Sequence, residues 1–130
     1  MNTLKKYVVV EDWIASYENP VVLKQGDKVI VDLSEKEPDP EWADWVWCIA
    51  DTGMDGWVPI QILEIQKNIS EDKQTAIVSE DYSAYELSVD KGDVVIGSRI
   101  LNGWLWCRKE NSDLDGWIPL RNVKEVNELL

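Results

Sequence analysis

The chain has 130 residues, 45% of them apolar, and its 25 acidic residues outweigh 13 basic ones, which gives a net charge of −12. This balance argues against nucleic-acid binding, which needs clustered cations, and favours a basic partner. Histidine is absent and only two cysteines occur, which excludes histidine-dependent nucleophiles and the common metal-ligand sets. We therefore expect no enzyme, no cofactor and no metal site.

Membrane association and export are not indicated. The longest apolar run near the start, YVVV, is far too short to cross a bilayer. No basic segment is followed by a hydrophobic stretch and a small-residue cleavage site. We expect a cytoplasmic protein with no membrane partner.

Short strands separated by turn residues are predicted along the first half of the chain. The strand segments are rich in β-branched or aromatic residues, and they are Val8–Val10, Lys28–Val31, Trp45–Ile49 and Gly56–Pro59. Turns are marked by Gly-Asp at Gly26 and by Asp-Gly at Asp55. The polar segment QKNISEDKQ, Gln66–Gln74, predicts a short linker. At the end of the chain, NVKEVNELL is compatible with one or two helical turns.

The second half of the chain repeats this pattern. WVWC, which begins at Trp45, recurs as WLWC at Trp104, and GWVP recurs as GWIP. LKQGDKVIV is likewise echoed by VDKGDVVIG. The first copy carries about seven extra residues before Trp45, which predicts an extended loop at about 32–44. Repeats of this length with several short strands predict two small all-β domains, 1–66 and 67–130.

The ordered motifs resemble those of the Src-homology-3 (SH3) family, in its variant, bacterial-type form. In the second repeat, YELSVDKGDVV is similar to the family's diverging turn, WLWC to its Trp-Trp-x-Ala strand and GWIP to its Gly-Tyr-Ile-Pro strand. The first repeat matches at LKQGDKV, WVWC and GWVP. The resemblance implies two tandem SH3-like small β-barrels joined by a short linker. It also implies shallow aromatic grooves that bind extended polyproline-type peptides beside acidic loops.

Carried over by position, the resemblance implies ligand-binding residues of three kinds: groove aromatics, strand prolines, and aromatic or acidic loop residues. They are Trp45, Trp104, Trp57, Trp117, Pro59, Pro119, Trp13, Tyr17, Tyr82, Tyr85, Glu18, Asp81 and Glu86. Further acidic loop positions are Glu11, Asp12 and Glu80. The two tyrosines that open typical members are missing, and the tyrosine after the strand proline is replaced by Ile62 and Asn122.

Strand alternation makes a prediction about the tryptophans. If Val46 and Cys48 face the core, Trp45 and Trp47 share the opposite, exposed face, and exposed aromatic clusters commonly mark interaction sites. Cys48 and its counterpart Cys107 lie in separate repeats, so we expect two free buried thiols.

Three functions remain open from the sequence. The first is a protein-interaction module that binds a basic, proline-containing peptide segment of a partner protein through its aromatic grooves. The second is a structural or assembly protein whose tryptophan faces bury each other or a partner subunit, which the missing tyrosines favour. The third is a glycan-binding module with tryptophans stacked on sugars. The sequence leaves the oligomeric state open.

Overall fold

The computed structural model describes residues 4–15, 20–34 and 44–126. In these ranges the chain is all-β, apart from short 3-10 helices at Ile60–Ile62 and Leu120–Asn122. The predicted all-β class is therefore confirmed. Tyr17, Glu18 and most of the extended loop predicted at 32–44 lie outside the described residues.

Short strands account for most of the described chain. In order they are β1 (Lys5–Val9), β2 (Val22–Leu23), β3 (Lys28–Asp32), β4 (Trp45–Ala50), β5 (Asp55–Pro59), β6 (Leu63–Asn68), β7 (Lys73–Val78), β8 (Tyr82–Ser83), β9 (Val94–Leu101), β10 (Trp104–Lys109), β11 (Asp115–Pro119) and β12 (Val123–Glu125). Strands β3, β4 and β5 cover three of the four segments predicted from β-branched and aromatic content, and β1 covers the fourth, Val8–Val10, as far as Val9.

The described residues form two compact units. Unit 1 contains residues 4–15 and 85–126, and unit 2 contains residues 20–34 and 44–84. The sheet of unit 1 has the strand order β11-β10-β9-β1-β12. Unit 2 has a sheet of order β5-β4-β3-β7-β6 and the two-stranded pair β2-β8. Each unit therefore holds one complete set of strands, but the set is drawn from both repeats.

The repeats exchange their first strands. Strand β1 comes from the first repeat and pairs antiparallel with β9 and β12 of the second repeat. Strand β7 comes from the second repeat and pairs antiparallel with β3 and β6 of the first. The compact units thus differ from the sequence domains 1–66 and 67–130. The physical reason is that β1 and β7 occupy equivalent sheet positions, so pattern alone does not assign either strand to one sheet.

The segment predicted as a linker, 66–74, is largely a β-hairpin. Strands β6 and β7 run into it, and the amides of Ile69 and Ser70 donate to the carbonyl oxygen of Lys73 across the turn. Most of β6 is exposed and polar, because it is the end strand of its sheet. An end strand of this composition has little apolar periodicity, and the sequence therefore predicted no strand there.

Each unit has its own apolar core. In unit 1 the core residues are Tyr7, Val9, Leu87, Val89, Val95, Leu105, Cys107 and Ile118. In unit 2 the fully or nearly fully buried residues include Val21, Leu23, Val29, Val31, Cys48, Val58, Ile62, Ala76 and Val78. Burial of each large aliphatic side chain contributes roughly 1.5–3 kcal/mol. Burial on this scale stabilises each sheet, and in both units part of it comes from the exchanged strand.

The state of the two cysteines agrees with the sequence prediction, and the C-terminal segment differs from it. Cys48 and Cys107 are free and buried, as predicted, and burial raises the pKa of each thiol from 9.0 to about 12. The helical turns considered for NVKEVNELL are not formed in its described part, where Asn122 ends a 3-10 helix and Val123–Glu125 is strand β12. Strand β12 forms because β1 offers it an open edge.

Candidate functional site

Two tryptophans from different repeats meet in unit 1. Trp13 lies on the segment that follows β1, and Trp104 begins β10. Their ring centroids are 5.5 Å apart and their planes are inclined at 80°, an edge-to-face arrangement. Such pairs add about 0.5–1.5 kcal/mol to the energy of area burial. The contact therefore stabilises the positions of both indole rings.

The backbone and a carboxylate hold Trp13 in place. Its amide donates to the carbonyl oxygen of Val89 at 2.9 Å, and the amide of Val89 donates back at 2.8 Å. Its indole Nε1 donates to Oε1 of Glu86 at 3.0 Å. Trp13 is half-buried, as is Glu86. The arrangement therefore places the Glu86 carboxylate beside the pair of Trp13 and Trp104.

Strand β11 fixes the segment that carries Glu86. The amide of Trp117 donates to the carbonyl oxygen of Tyr85 at 2.9 Å. The amide of Leu87 donates to the carbonyl oxygen of Trp117 at 3.0 Å. Gly116 permits this approach, since a Cβ built there would lie 2.8 Å from the Leu87 amide nitrogen. Glu86 is thus held by two backbone hydrogen bonds that flank it.

Unit 2 has a related but chemically different arrangement. Tyr82 of the second repeat pairs with Leu23 of the first. This pair corresponds to the pair of Trp13 with Val89 in unit 1. The Tyr82 hydroxyl donates to the carbonyl oxygen of Trp57 at 3.4 Å. Trp45, which corresponds to Trp104, begins β4 in the same unit. The position that corresponds to Glu86 is Pro20, 66 residues earlier in the sequence, so this site lacks that carboxylate.

The first tryptophans of the repeated motif are more buried than predicted. Trp45 is 7% exposed and Trp104 is 9% exposed, whereas Trp47 and Trp106 are intermediate. The prediction of two exposed indoles on each strand was therefore wrong. In unit 1 the reason is visible, because Trp13 packs against Trp104. A ligand role for Trp45 and Trp104 stays a prediction, restricted to the edges that remain accessible.

The second tryptophans of each repeat pack across neighbouring strands. Trp106 lies opposite Trp117 and Trp47 lies opposite Trp57 in the strand register. The ring centroids are 5.2 Å and 5.3 Å apart, both in edge-to-face geometry. Trp117 is buried and Trp57 is half-buried. Each of these tryptophans therefore already has an aromatic partner within its own sheet.

The strand prolines are deeply buried. Pro59 and Pro119 belong to the fully buried side chains, and they lie opposite Trp45 and Trp104 in the register. Each precedes a 3-10 helix in an extended conformation. Their ligand role stays a prediction, while their observed role is to end strands β5 and β11 beneath the tryptophans.

The predicted acidic loop residues separate into two groups. The Asp81 carboxylate accepts a hydrogen bond from the amide of Gln25 at 2.8 Å. Its counterpart Asp12 accepts a hydrogen bond from the amide of Lys91. Each of these carboxylates binds the diverging turn of the other repeat. Glu86 instead accepts a hydrogen bond from the indole of Trp13. Tyr85 is 40% exposed and belongs to unit 1, whereas Tyr82 belongs to unit 2.

Sequence reasoning missed the role of Asn122. Its side chain is 3% exposed, and its amide Nδ2 donates to the carbonyl oxygens of Glu11 at 3.3 Å and Asp12 at 3.1 Å. This buried amide attaches the segment before Trp13 to the 3-10 helix that follows β11. The counterpart Ile62 is also buried. The two positions of the family tyrosine that follows the strand proline are thus occupied by buried residues.

Other site types find no support in the described part of the chain. No group of three or more His, Cys, Asp or Glu residues within it is arranged to hold a metal ion. In residues 4–15, 20–34 and 44–126, no helix has the length and apolar character needed to cross a membrane.

Comparison with known proteins relates the chain to one domain family. The sequence model of the variant SH3 domain matches residues 6–66 and 75–126. SH3 and PX domain-containing protein 2B is 28% identical in Mus musculus and 27% identical in Homo sapiens, in each case over 133 residues. These matches cover 94% of this chain, which spans only 14% of the length of either relative.

Solved structures give a weaker match. The native and selenomethionine structures of CBDP35 align over 98% of this chain and 99% of theirs, at 11% identity. Their TM-scores of 0.34 and 0.35 carry no structural argument. The family matches instead cover both repeats, with the all-β architecture that the SH3 resemblance implies. The chain therefore belongs to the variant SH3 domain family, as a tandem pair of domains from a class of non-enzymatic protein-interaction modules.

Proposed function

We propose that this chain binds an extended, basic segment of a partner protein at the aromatic site of unit 1. One observation carries the proposal: Glu86 is hydrogen-bonded to the indole of Trp13, which packs edge-to-face on Trp104. A proline or aliphatic side chain of the partner would contact the exposed indole edges. A lysine or arginine of the partner would pair with Glu86 and the face of Trp13.

The charge of the chain supports a basic ligand. A net charge of −12 attracts cationic peptides over a distance and accelerates their encounter at low ionic strength. A single partly exposed ion pair contributes only about 0–1 kcal/mol. Selectivity would therefore come from Glu86 at the aromatic pair, while the overall charge raises the association rate. A cytoplasmic setting belongs to the same proposal, since free thiols are typical of reducing compartments.

The test is an NMR and tryptophan-fluorescence titration with proline-containing peptides that carry one basic residue, each paired with the same peptide in which alanine replaces that residue. In Glu86→Gln the amide oxygen still accepts from Trp13 Nε1, so the substitution removes charge with little change of geometry. We expect the affinity for basic peptides to fall about two- to fivefold, with no change for the alanine peptides. Glu64→Gln, at an exposed position of β6 in unit 2, is the matched control and leaves both affinities unchanged.

A structural or assembly role is the second candidate, favoured by the burial of Trp45, Trp104, Pro59 and Pro119. Under this alternative, no peptide shifts the indole resonances of Trp13 or Trp104. Glu86→Gln would then alter stability alone. The peptide proposal fails if the titrations give this outcome.

A further inference from the structure

The exchanged strands pair with the sheet of the other repeat rather than with their own, and this choice is independent of ligand binding. We call residues 5–15 arm 1 and residues 73–84 arm 2, and we call residues 20–34 and 44–68 body 1 and residues 85–126 body 2. Arm 1 completes body 2, and arm 2 completes body 1. Because the two arms occupy equivalent positions, each could in principle add to the body of its own repeat. Some feature of the side chains must select the crossed arrangement.

In unit 1 a large residue on the arm meets the smallest residue on the body. Tyr7 is buried in the core of unit 1 beside Val95 and Leu105. A Cβ built at Gly97 would lie 2.8 Å from Cε1 of Tyr7 and 2.6 Å from Cδ1 of Leu105. Real Cβ atoms do not approach other atoms so closely. The Tyr7 ring therefore needs glycine at position 97.

In unit 2 the sizes are reversed. Tyr7 lies opposite Val95 in the strand register, and Ala76 lies opposite Val29 in the same way. Two residues beyond these valines, on the same faces, stand Gly97 and Val31. Ala76 and Val31 are both fully buried, at 0% exposure. Here a small residue on the arm accompanies a larger residue on the body.

Uncrossed pairing would mismatch both cores. Tyr7 would meet the side chain of Val31, which overpacks one core, and Ala76 would face Gly97, which leaves a cavity in the other; both changes destabilise a fold. The hydrogen bond from Trp13 to Glu86 would also be lost. The corresponding residue of body 1 is Pro20, whose side chain offers no acceptor.

We propose that the pairs Tyr7–Gly97 and Ala76–Val31 specify the exchange, so that each arm fits only the body of the other repeat. The partner of each open sheet edge is therefore the arm of the other repeat, and the folding unit is the whole tandem chain. Neither repeat alone contains a matched arm and body. This inference concerns the assembly of the fold and stands whether or not the proposed peptide binds.

The test exchanges the residues in the full-length chain. The arm variant Tyr7→Ala/Ala76→Tyr and the body variant Gly97→Val/Val31→Gly each mismatch both crossed cores. The quadruple variant restores both matches between arm and body, and it keeps the close contact of position 97 with Leu105 within body 2. We expect each double variant either to lower the melting temperature by roughly 10 °C or more, or to adopt uncrossed pairing. We expect the quadruple variant to be more stable than the sum of the two double variants predicts, with the remaining loss due to the contact between position 97 and Leu105. Purely additive losses in the quadruple variant, or double variants that keep both stability and crossed pairing, overturn the proposal.

The pairing is read directly by NMR in a way that does not depend on the stability of the variants. In the wild type, we expect nuclear Overhauser effects from the Tyr7 ring to the methyl groups of Val95, and in an uncrossed double variant the tyrosine contacts the valine of its own repeat. Wild-type contacts from Tyr7 to Val29 instead overturn the proposal. Sedimentation at the same concentration must give a monomer mass, and a dimer mass would refute exchange within one chain.

Discussion

Two equivalent glycines in the two units should respond differently to alanine. Gly116 in β11 and Gly56 in β5 stand at the same position of the repeated strand, and neither has a positive φ. A Cβ at Gly116 would lie 2.8 Å from the backbone nitrogen of Leu87 and 2.9 Å from its Cβ. A Cβ at Gly56 would lie 3.1 Å from Cγ1 of Val21, a side-chain atom. The obstacle is thus rigid in unit 1 and more adaptable in unit 2.

These contacts set the expected magnitudes. Replacement of glycine by alanine reduces the entropy of the unfolded chain, which stabilises a protein by about 0.4–1 kcal/mol where alanine fits. Overpacking a rigid site costs about 1–3 kcal/mol. Gly116→Ala should therefore lower the free energy of unfolding by about 1–3 kcal/mol, because the amide of Leu87 is hydrogen-bonded to Trp117 and has no room to retreat. Gly56→Ala should change it by less than about 1 kcal/mol, since Val21 can adjust its rotamer.

Urea unfolding followed by amide cross-peak intensities is the suitable assay. It reports on each unit separately, whereas the fluorescence of the eight tryptophans mixes signals from both. The m-value should not change, so that a shift of midpoint reports stability. The reasoning is refuted if Gly56→Ala costs as much as Gly116→Ala, or if Gly116→Ala is neutral.

Three further predictions follow from burial and charge. Asn122→Ala should lower the free energy of unfolding by about 1–3 kcal/mol in urea titrations, because the carbonyl oxygens of Glu11 and Asp12 lose their donor. At pH 8, Cys48 and Cys107 should react with a thiol reagent about a thousandfold more slowly in the folded chain than in urea, because burial raises each pKa from 9.0 to about 12. The folded state keeps these protons longer than the unfolded state, so their contribution to stability is complete below pH 9 and declines as pH rises from 9 to 12. Binding of a basic peptide should weaken when ionic strength rises from about 0.05 to 0.5 M in calorimetric titrations, and salt-independent binding would contradict a role for the acidic charge.

Most of the strands could be predicted because their apolar and turn residues carry a strong local signal. Lys28–Val31 and Trp45–Ile49 were each predicted within one residue of the observed strands β3 and β4. Strand β6 was missed because its side chains are polar and exposed at the end of a sheet. Local composition identifies strands that bury a face, and it does not identify those that are stabilised by backbone pairing alone.

The candidate site was less predictable because it is built from both repeats. The family pattern predicted that Trp13 shares a site with Trp45, and that Tyr82 shares a site with Trp104. In the structure Trp13 packs against Trp104, since arm 1 crosses to body 2. A motif alignment assumes that each repeat folds on itself. The information that contradicts this assumption is the size pairing of buried residues, which appears only when the sheet register is known.

The exchange also makes the two sites chemically different. If each repeat folded on itself, Trp13 would lie with Trp45 beside Pro20, and Glu86 would lie beside Tyr82 in the other site. Crossing the arms instead brings the larger indole, with its N–H donor, to the only one of the two equivalent positions that carries a carboxylate. Of the equivalent positions Glu86 and Pro20, only Glu86 therefore carries a carboxylate, and in unit 1 that carboxylate accepts from the indole of Trp13. One chain with two similar repeats thus presents two aromatic sites that differ at this position, and the basic peptide proposed above would distinguish between them.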